Sequence, residues 1–263
     1  MFSTYFWIFA PLLLSVAVAL SAERMWPWRP GVRADSLGWL QVALLHVGGV
    51  ILVSLAVPIS QIAASAWARE VGFVLFNWIE APLWLAIVAT IAAIDLVDYI
   101  RHWAHHRYRL LWRAHRLHHS STRMEVSVGF RFHPFEAWLG AVGHGCAMAL
   151  LGGPVETVPF YIAISLFQNI WEHANVYTPP SVLRLARLAL ITPDLHRVHH
   201  SAIPAQGMTN YGAIFSIWDR AFGTLLPLEQ AVPNEDALAF GLGDGNTLQF
   251  ETTGELFVDP FRR

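Results

Sequence analysis

An all-α fold is predicted for this chain of 263 residues: a multi-pass helical membrane bundle with a cytoplasmic helical cap that carries histidine boxes. Composition, the length of the apolar runs and the spacing of the histidines predict it. Hydrophobic residues make up 55% of the chain and charged residues 14%, whereas soluble chains average about a quarter charged. The apolar runs approach the roughly 20 residues that cross a bilayer core. Histidines recur at i, i+3 and i+4, which places their rings on one helical face. The formal charge of −2 leaves no basic face, so no nucleic-acid partner is expected. Cys146 is alone, which excludes an internal disulfide and a thiolate zinc site and leaves nitrogen and oxygen ligands.

The first apolar run is Phe2 to Leu20, which lacks a positively charged start and reads as a retained anchor. The second is Leu37 to Val57. A third, Phe73 to Ile94, passes directly into the polar segment that holds the first histidine pair. Ala137 to Gly152 and Val155 to Trp171 follow, split by Gly152, Gly153 and Pro154 into a tight helical hairpin. These runs divide the chain into N-terminal transmembrane helices (1–94), a histidine-rich domain (95–224) that includes the hairpin of about 137–171, and a soluble tail of short strands or loops (225–263). Arg24, Arg29 and Arg33 lie between the first two runs, Arg69 alone between the next two, and six arginines from Arg101 to Arg123 follow the third. The positive-inside rule then puts the amino terminus outside and the histidine groups at the cytoplasmic face.

Those groups are His102 with His106, His115 with His118 and His119, and His196 with His199 and His200. The spacing H-x-x-H-H occurs twice, each time followed by Ser. Repetition at metal-ligand spacing points to a metal site, and eight imidazoles exceed the three or four that one zinc ion takes, so two ions are implied. Nitrogen-rich sites suit iron, zinc or copper. His173 is placed by position as a ninth ligand, and Asn169, one turn earlier, as a weak ligand or a holder of bound water. Asp98 or Asp95 is expected to take the second ring hydrogen of His102. Asp98, Glu172 and Asp194 are candidates to orient ligands or relay protons, and Asp194 alternatively caps the helix after Pro193. His133 reads as structural, His105 as off the ligand face, and His46 and His144 as internally satisfied histidines of the apolar runs, with the lining of a cavity as the alternative for one of them. Asn210, Tyr211 and the run Trp218-Asp219-Arg220 are expected to buttress the cap.

Several short blocks, taken in order, resemble the fatty acid hydroxylase and sterol desaturase superfamily of membrane di-iron oxygenases. They are Asp98-Tyr99 with His102 and His106; Leu111-Trp112-Arg113-Ala114-His115-Arg116-Leu117-His118-His119-Ser120; Arg131-Phe132-His133-Pro134-Phe135-Glu136; His173-Ala174-Asn175; His196-Arg197-Val198-His199-His200-Ser201; and Asn210-Tyr211-Gly212 with Ser216 to Thr224. Trp103 departs from the pattern, since the family often has Arg there, and Asn169 stands where some relatives carry another His. The resemblance implies two Fe ions, O2 as co-substrate, and hydroxylation, desaturation or ether cleavage at an unactivated C–H bond of a lipid. No flavin, haem or nucleotide fingerprint is visible, and Gly241-Leu242-Gly243-Asp244-Gly245 lacks the strand-to-helix setting a phosphate loop needs. Electrons are therefore expected from an external ferredoxin or cytochrome-like donor with its reductase. A membrane zinc hydrolase is the competing reading, but no Glu sits inside the boxes as in H-E-x-x-H. A metal transporter would place ligands at mid-membrane, where only His46 and His144 lie.

Overall fold

A computed structural model describes residues 2–32, 36–56, 61–72, 74–233, 235–243 and 258. The two N-terminal apolar runs form α1 (Phe2–Met25) and α2 (Ser36–Ala56). A short helix follows between the second and third apolar runs, α3 (Gln61–Val71), which buries only the small residues Ser65 and Ala68. Its eleven residues include few large apolar side chains, so it carries no hydropathy signal.

The third apolar run is not one helix, which corrects the expectation for 73–94. A single turn, α4 (Leu75–Trp78), gives way to extended backbone at Ile79, and α5 (Leu83–Arg107) begins after Pro82. Proline lacks an N–H and disfavours helical geometry in the residue before it, so the chain restarts there. Among the described residues α5 is the one helix long and apolar enough to cross a membrane, and Trp39–Val53 forms a shorter apolar helix. Tyr108, in extended conformation, separates α5 from the amphipathic α6 (Arg109–His119). A buried 3-10 turn, Val126–Phe130, follows.

The predicted hairpin is present as α7 (Pro134–Leu151) and α8 (Thr157–His173). His133 caps α7: its ring accepts from the Phe135 N–H at 3.1 Å, and Glu136 accepts from the His133 N–H at 3.1 Å. At the other end Gly152 adopts φ 64, the left-handed conformation that glycine tolerates at a helix C-terminus. The remaining helices are short: α9 (Pro180–Ala186), α10 (Pro193–His199), α11 (Pro204–Gly207), α12 (Ile217–Phe222) and α13 (Leu228–Ala231).

α7 packs against α2, α3 and α5, and α8 against α1, α10 and the 3-10 turn. One core joins Ile91 and Ile94 of α5, Ala147 and Met148 of α7, Tyr161 of α8 and Ile214. A second joins Met124 and Val198 to Leu228, Val232, Leu238 and Phe240. The segment 225–243 is thus fastened onto α10 by apolar packing, with helical turns and, among the described residues, no strand beyond isolated bridges such as Ser201 with Phe240. Outside those turns the described part of 225–243 is loop; residues 244–257 and 259–263, the rest of the expected soluble tail of short strands or loops, lie outside the described residues. Large apolar side chains face outward along the long helices, among them Leu14, Val18, Val47, Val50, Trp84, Val88, Leu150 and Phe167. Contiguous exposed apolar surface of this kind marks a lipid or protein contact.

Candidate metal centre

Four segments meet at the C-terminal end of α5. The last turns of α5 carry His102 and His106, α6 carries His115, His118 and His119, α8 ends on His173, and α10 with the residue after it carries His196, His199 and His200. All nine histidines predicted as ligands converge. They fall into two groups, His102, His106, His115, His119 and His199 in one and His118, His173, His196 and His200 in the other, with the ligand atoms of each group within 4.8 Å of one another. The groups adjoin: the rings of His119 and His200 stack at 4.3 Å, and those of His118 and His200 lie at 4.6 Å.

The outer ring nitrogens are anchored. Nδ1 of His102 donates to the Tyr211 carbonyl at 2.9 Å, that of His199 to Thr209 at 2.7 Å, that of His118 to Val128 at 3.1 Å and that of His173 to Asn169 at 2.7 Å. Nδ1 of His115 meets Glu136 Oε2 at 2.7 Å. A carbonyl only accepts, so each such bond puts the hydrogen on Nδ1 and leaves Nε2 with a free lone pair. The anchored rings then turn acceptors toward one another. Nε2 of His118 and Nε2 of His173 lie 3.2 Å apart although both rings hold their hydrogen on Nδ1, so two lone pairs oppose each other. Nε2 of His102, His106 and His199 are buried with no hydrogen-bond partner. Orphaned acceptors aimed at a common point fit metal binding by neutral imidazole, with the second nitrogen oriented by an outer partner.

Burial and the neighbouring imidazoles hold His115, His118, His119, His196 and His200 well below the ordinary histidine range, and burial brings His199 down to about 4. Neutral rings near pH 7 are ligand-competent, since a proton and a metal compete for the same lone pair.

The supporting residues are partly those expected. Asn210 takes φ 55, which Asn adopts more readily than most residues, and its side chain bonds the carbonyls of Leu195 and Leu226 at 2.9 and 2.8 Å. That turn presents the Thr209 and Tyr211 carbonyls to His199 and His102. Asp219 braces it by accepting from the Tyr211 and Gly212 N–H groups at 2.7 and 2.8 Å. The sequence reading of these residues as a buttress agrees with this arrangement. It missed the carbonyls themselves, which have no residue-type signature, and it missed Glu136 as the partner of His115.

Other expectations are corrected. Neither Asp95 nor Asp98 touches His102: Asp95 accepts from the N–H groups of Ile214 and Phe215 and from Trp218, and Asp98 binds Arg101, His144 and Tyr161. Both carboxylates share the helical side of His102 by spacing but are taken up by partners on other segments, Asp95 by residues 214–218 and Asp98 by α7 and α8. Thr192, not Asp194, stands at the N-cap of α10, and Asp194 pairs with Arg187 at 2.6 Å. Glu172 does lie beside the site, with Oε1 3.8 Å from Nδ1 of His173 and 3.9 Å from Nε2 of His196. The Asn169 amide donates to the Gly129 carbonyl at 2.7 Å. His105 bonds the Arg101 carbonyl at 2.6 Å and is in neither group. His46 and His144 are not sealed in the core; both line a cavity of about 440 Å³ whose wall includes His102, His115, His118, His173 and His196. A neighbouring cavity of about 450 Å³ between α2 and α7 shares His46, Gln61, Arg101, Phe132 and His144 with it.

Fold and site together define a helical protein with two adjoining, buried, all-imidazole clusters beside an apolar helix. The model of the family named fatty acid hydroxylase matches residues 87–224, and the chain belongs to that family. The chain is 31% identical over 228 residues to the ornithine lipid hydroxylase OlsE of Rhizobium tropici, covering 83% of this chain and 66% of that one. It is 31% identical over 176 residues to an alkylglycerol monooxygenase of Danio rerio, covering 64% of this chain and 35% of the relative. A cholesterol 25-hydroxylase-like protein of Danio rerio is 26% identical over 244 residues, covering 89% and 83%. The chain thus spans less than two thirds of the length of the first two relatives. No solved structure matches.

Proposed function

We propose that this chain is a multi-pass membrane oxidoreductase that holds two iron ions and uses O2 and an external electron donor to hydroxylate or desaturate an unactivated C–H position of a lipid. The observation that carries the reading is the pair of adjoining nitrogen clusters, with lone pairs opposed across the His118–His173 gap. Membership of the fatty acid hydroxylase family and relatives named as hydroxylases and monooxygenases of lipids support the reaction class. One ion would be held by His102, His106, His115, His119 and His199, the other by His118, His173, His196 and His200. When bound, such an iron pair supplies O2 reduction and C–H oxidation.

The chain's own residues supply the setting. The Val128, Asn169, Thr209 and Tyr211 carbonyls and Glu136 fix ring orientation, and burial of seven of the nine histidines, with His102 and His106 half-buried, limits the access of bulk water. Phe130, Phe132, Ile162 and Leu166 give the adjoining cavity apolar walls against which a lipid segment can lie. Glu172 is the carboxylate placed to hold a proton beside His173 and His196. Asp98 and Asp194, grouped with Glu172 on sequence, act through other residues: Asp98 fixes Arg101 and His144, and Asp194 ties α10 to Arg187.

The arginine distribution supports a topology with the histidine clusters on the cytoplasmic side, where a ferredoxin or cytochrome-like donor docks on the cap. Metal analysis with an oxygen-uptake assay tests the proposal. Two irons per chain and donor-dependent uptake are expected; two zincs without redox activity would make it a hydrolase, and undiminished turnover without donor would remove the need for a partner.

A further inference from the structure

Metal binding leaves a second polar group in the 440 Å³ cavity unused. Asp98 Oδ1 accepts from Arg101 Nε and Nη2 at 3.1 and 2.9 Å and from His144 Nε2 at 2.9 Å, and Oδ2 accepts from the Tyr161 hydroxyl. The other ring nitrogen of His144, Nδ1, lies 3.5 Å from Gln61 Nε2. Four helices, α3, α5, α7 and α8, thus each bring a polar side chain to one place within the apolar bundle. All five residues line the cavity that also exposes five of the cluster histidines, and Gln61, Arg101 and His144 continue into the cavity between α2 and α7.

A brace between helices would be sealed. This one is not: the side chains of Arg101 and His144 remain 27% and 17% accessible, while Asp98, at their centre, is 7% accessible. A hydrocarbon segment in the cavity would take water from the guanidinium, imidazole and amide edges and return no hydrogen bond, which is unfavourable for each group. An oxygen-bearing group would replace the lost water. Ionisable residues within an apolar bundle are costly to place and usually face a ligand path.

We infer that Gln61, Arg101 and His144, held by Asp98 and Tyr161, bind the polar portion of the lipid substrate through its oxygen acceptors, an ester, amide, hydroxyl or carboxylate. The oxidised carbon then lies in the headgroup or within a few bonds of it, and the hydrocarbon leaves through the second cavity, past Val50 and Val53 of α2 and Ala137 and Ala141 of α7. The inference rests on the lipid-oxygenase reading and specifies which end of the lipid meets the clusters.

The test uses the iron-loaded full chain in detergent with an electron-donor system, supplied in parallel with a polar-lipid extract of the expression host and with hexadecane. Fragmentation mass spectrometry is expected to place the new oxygen or double bond in the polar half of the product, with hexadecane poorer by on the order of 100-fold or more in kcat/KM. His144→Leu and Gln61→Leu are expected to raise KM for the polar lipid about tenfold at unchanged iron content, and His144→Gln to recover most of it. Oxidation toward the methyl end, or variants that lower only the melting temperature and leave KM unchanged, would overturn the inference; the product position in the unaltered protein decides even if the variants do not fold. Iron-loaded protein that consumes no O2 with either substrate would instead fail the oxygenase reading, and this inference with it.

Discussion

His118 and His173 concentrate the argument at the level of single residues. Each is oriented by a backbone carbonyl, so their opposed Nε2 atoms present lone pairs that fit joint ligation of one cation. His118→Ala and His199→Ala are expected to lose metal and activity together, whereas His105→Ala, outside both groups, is expected to keep its metal complement; elemental analysis of the purified variants decides. Gly129 is a subtler position. A Cβ there would lie 2.9 Å from the Asn169 amide nitrogen and 3.0 Å from Nδ1 of His173, so Gly129→Ala should displace His173 and weaken metal retention by roughly 10–100-fold, measured by competition with a chelator. Protonation has a sign as well. His199 falls from 6.5 unfolded to about 4 folded, so below pH 6.5 the unfolded chain takes up protons that the folded, metal-free protein does not. Stability of the metal-free protein is therefore complete above that value and is lost as the pH falls through about 4, a trend that thermal melts across the window would show. The ligand residues were legible because i, i+3, i+4 spacing fixes a helical face. Their anchors were not, because a carbonyl belongs to every residue.

Among the elements, α7 tests how local chemistry sets up the site. Its capping box places Glu136, which reaches His115, the first histidine of α6. His133→Ala is expected to cost about 1 kcal/mol of stability through the lost cap, read as a lower melting temperature with iron content unchanged; loss of iron would mean that His133 has a role in the centre. At the opposite end, Gly152→Ala combines a left-handed φ of 64 with a Cβ 2.5 Å from Val74 Cγ2, so it should cost more than the 1–2 kcal/mol of backbone strain alone. Helix α3 and the restart at Leu83 mark where hydropathy failed. α3 is held by small residues close to α7, among them Ser65, which donates to the Gly153 carbonyl at 2.5 Å, and such packing leaves no apolar run to read. The Pro82 restart was visible in the sequence, yet the continuous hydrophobicity around it masked the break. Asp98 likewise lies one turn before His102 but points to α7 and α8, a direction that helical spacing alone does not give.

For the whole molecule, the clusters lie where the apolar helices end and the short helices begin, which is the placement the proposed function needs for a lipid held among the former to reach metal held by the latter. The all-helical architecture, the hairpin and the convergence of three separated histidine groups were readable from sequence, since each follows from periodicity over many residues. The packing of residues 225–243 onto α10 was not, because Leu228, Val232, Leu238 and Phe240 are scattered among Gly, Pro and acids with no period. The central claim is that two ions, bound by imidazole alone, occupy one continuous centre. X-ray absorption at the iron edge of the purified, reconstituted chain tests it most directly: two irons per chain with nitrogen neighbours and a resolvable iron–iron distance are expected, and a single ion, sulfur ligation or zinc in place of iron would contradict the account.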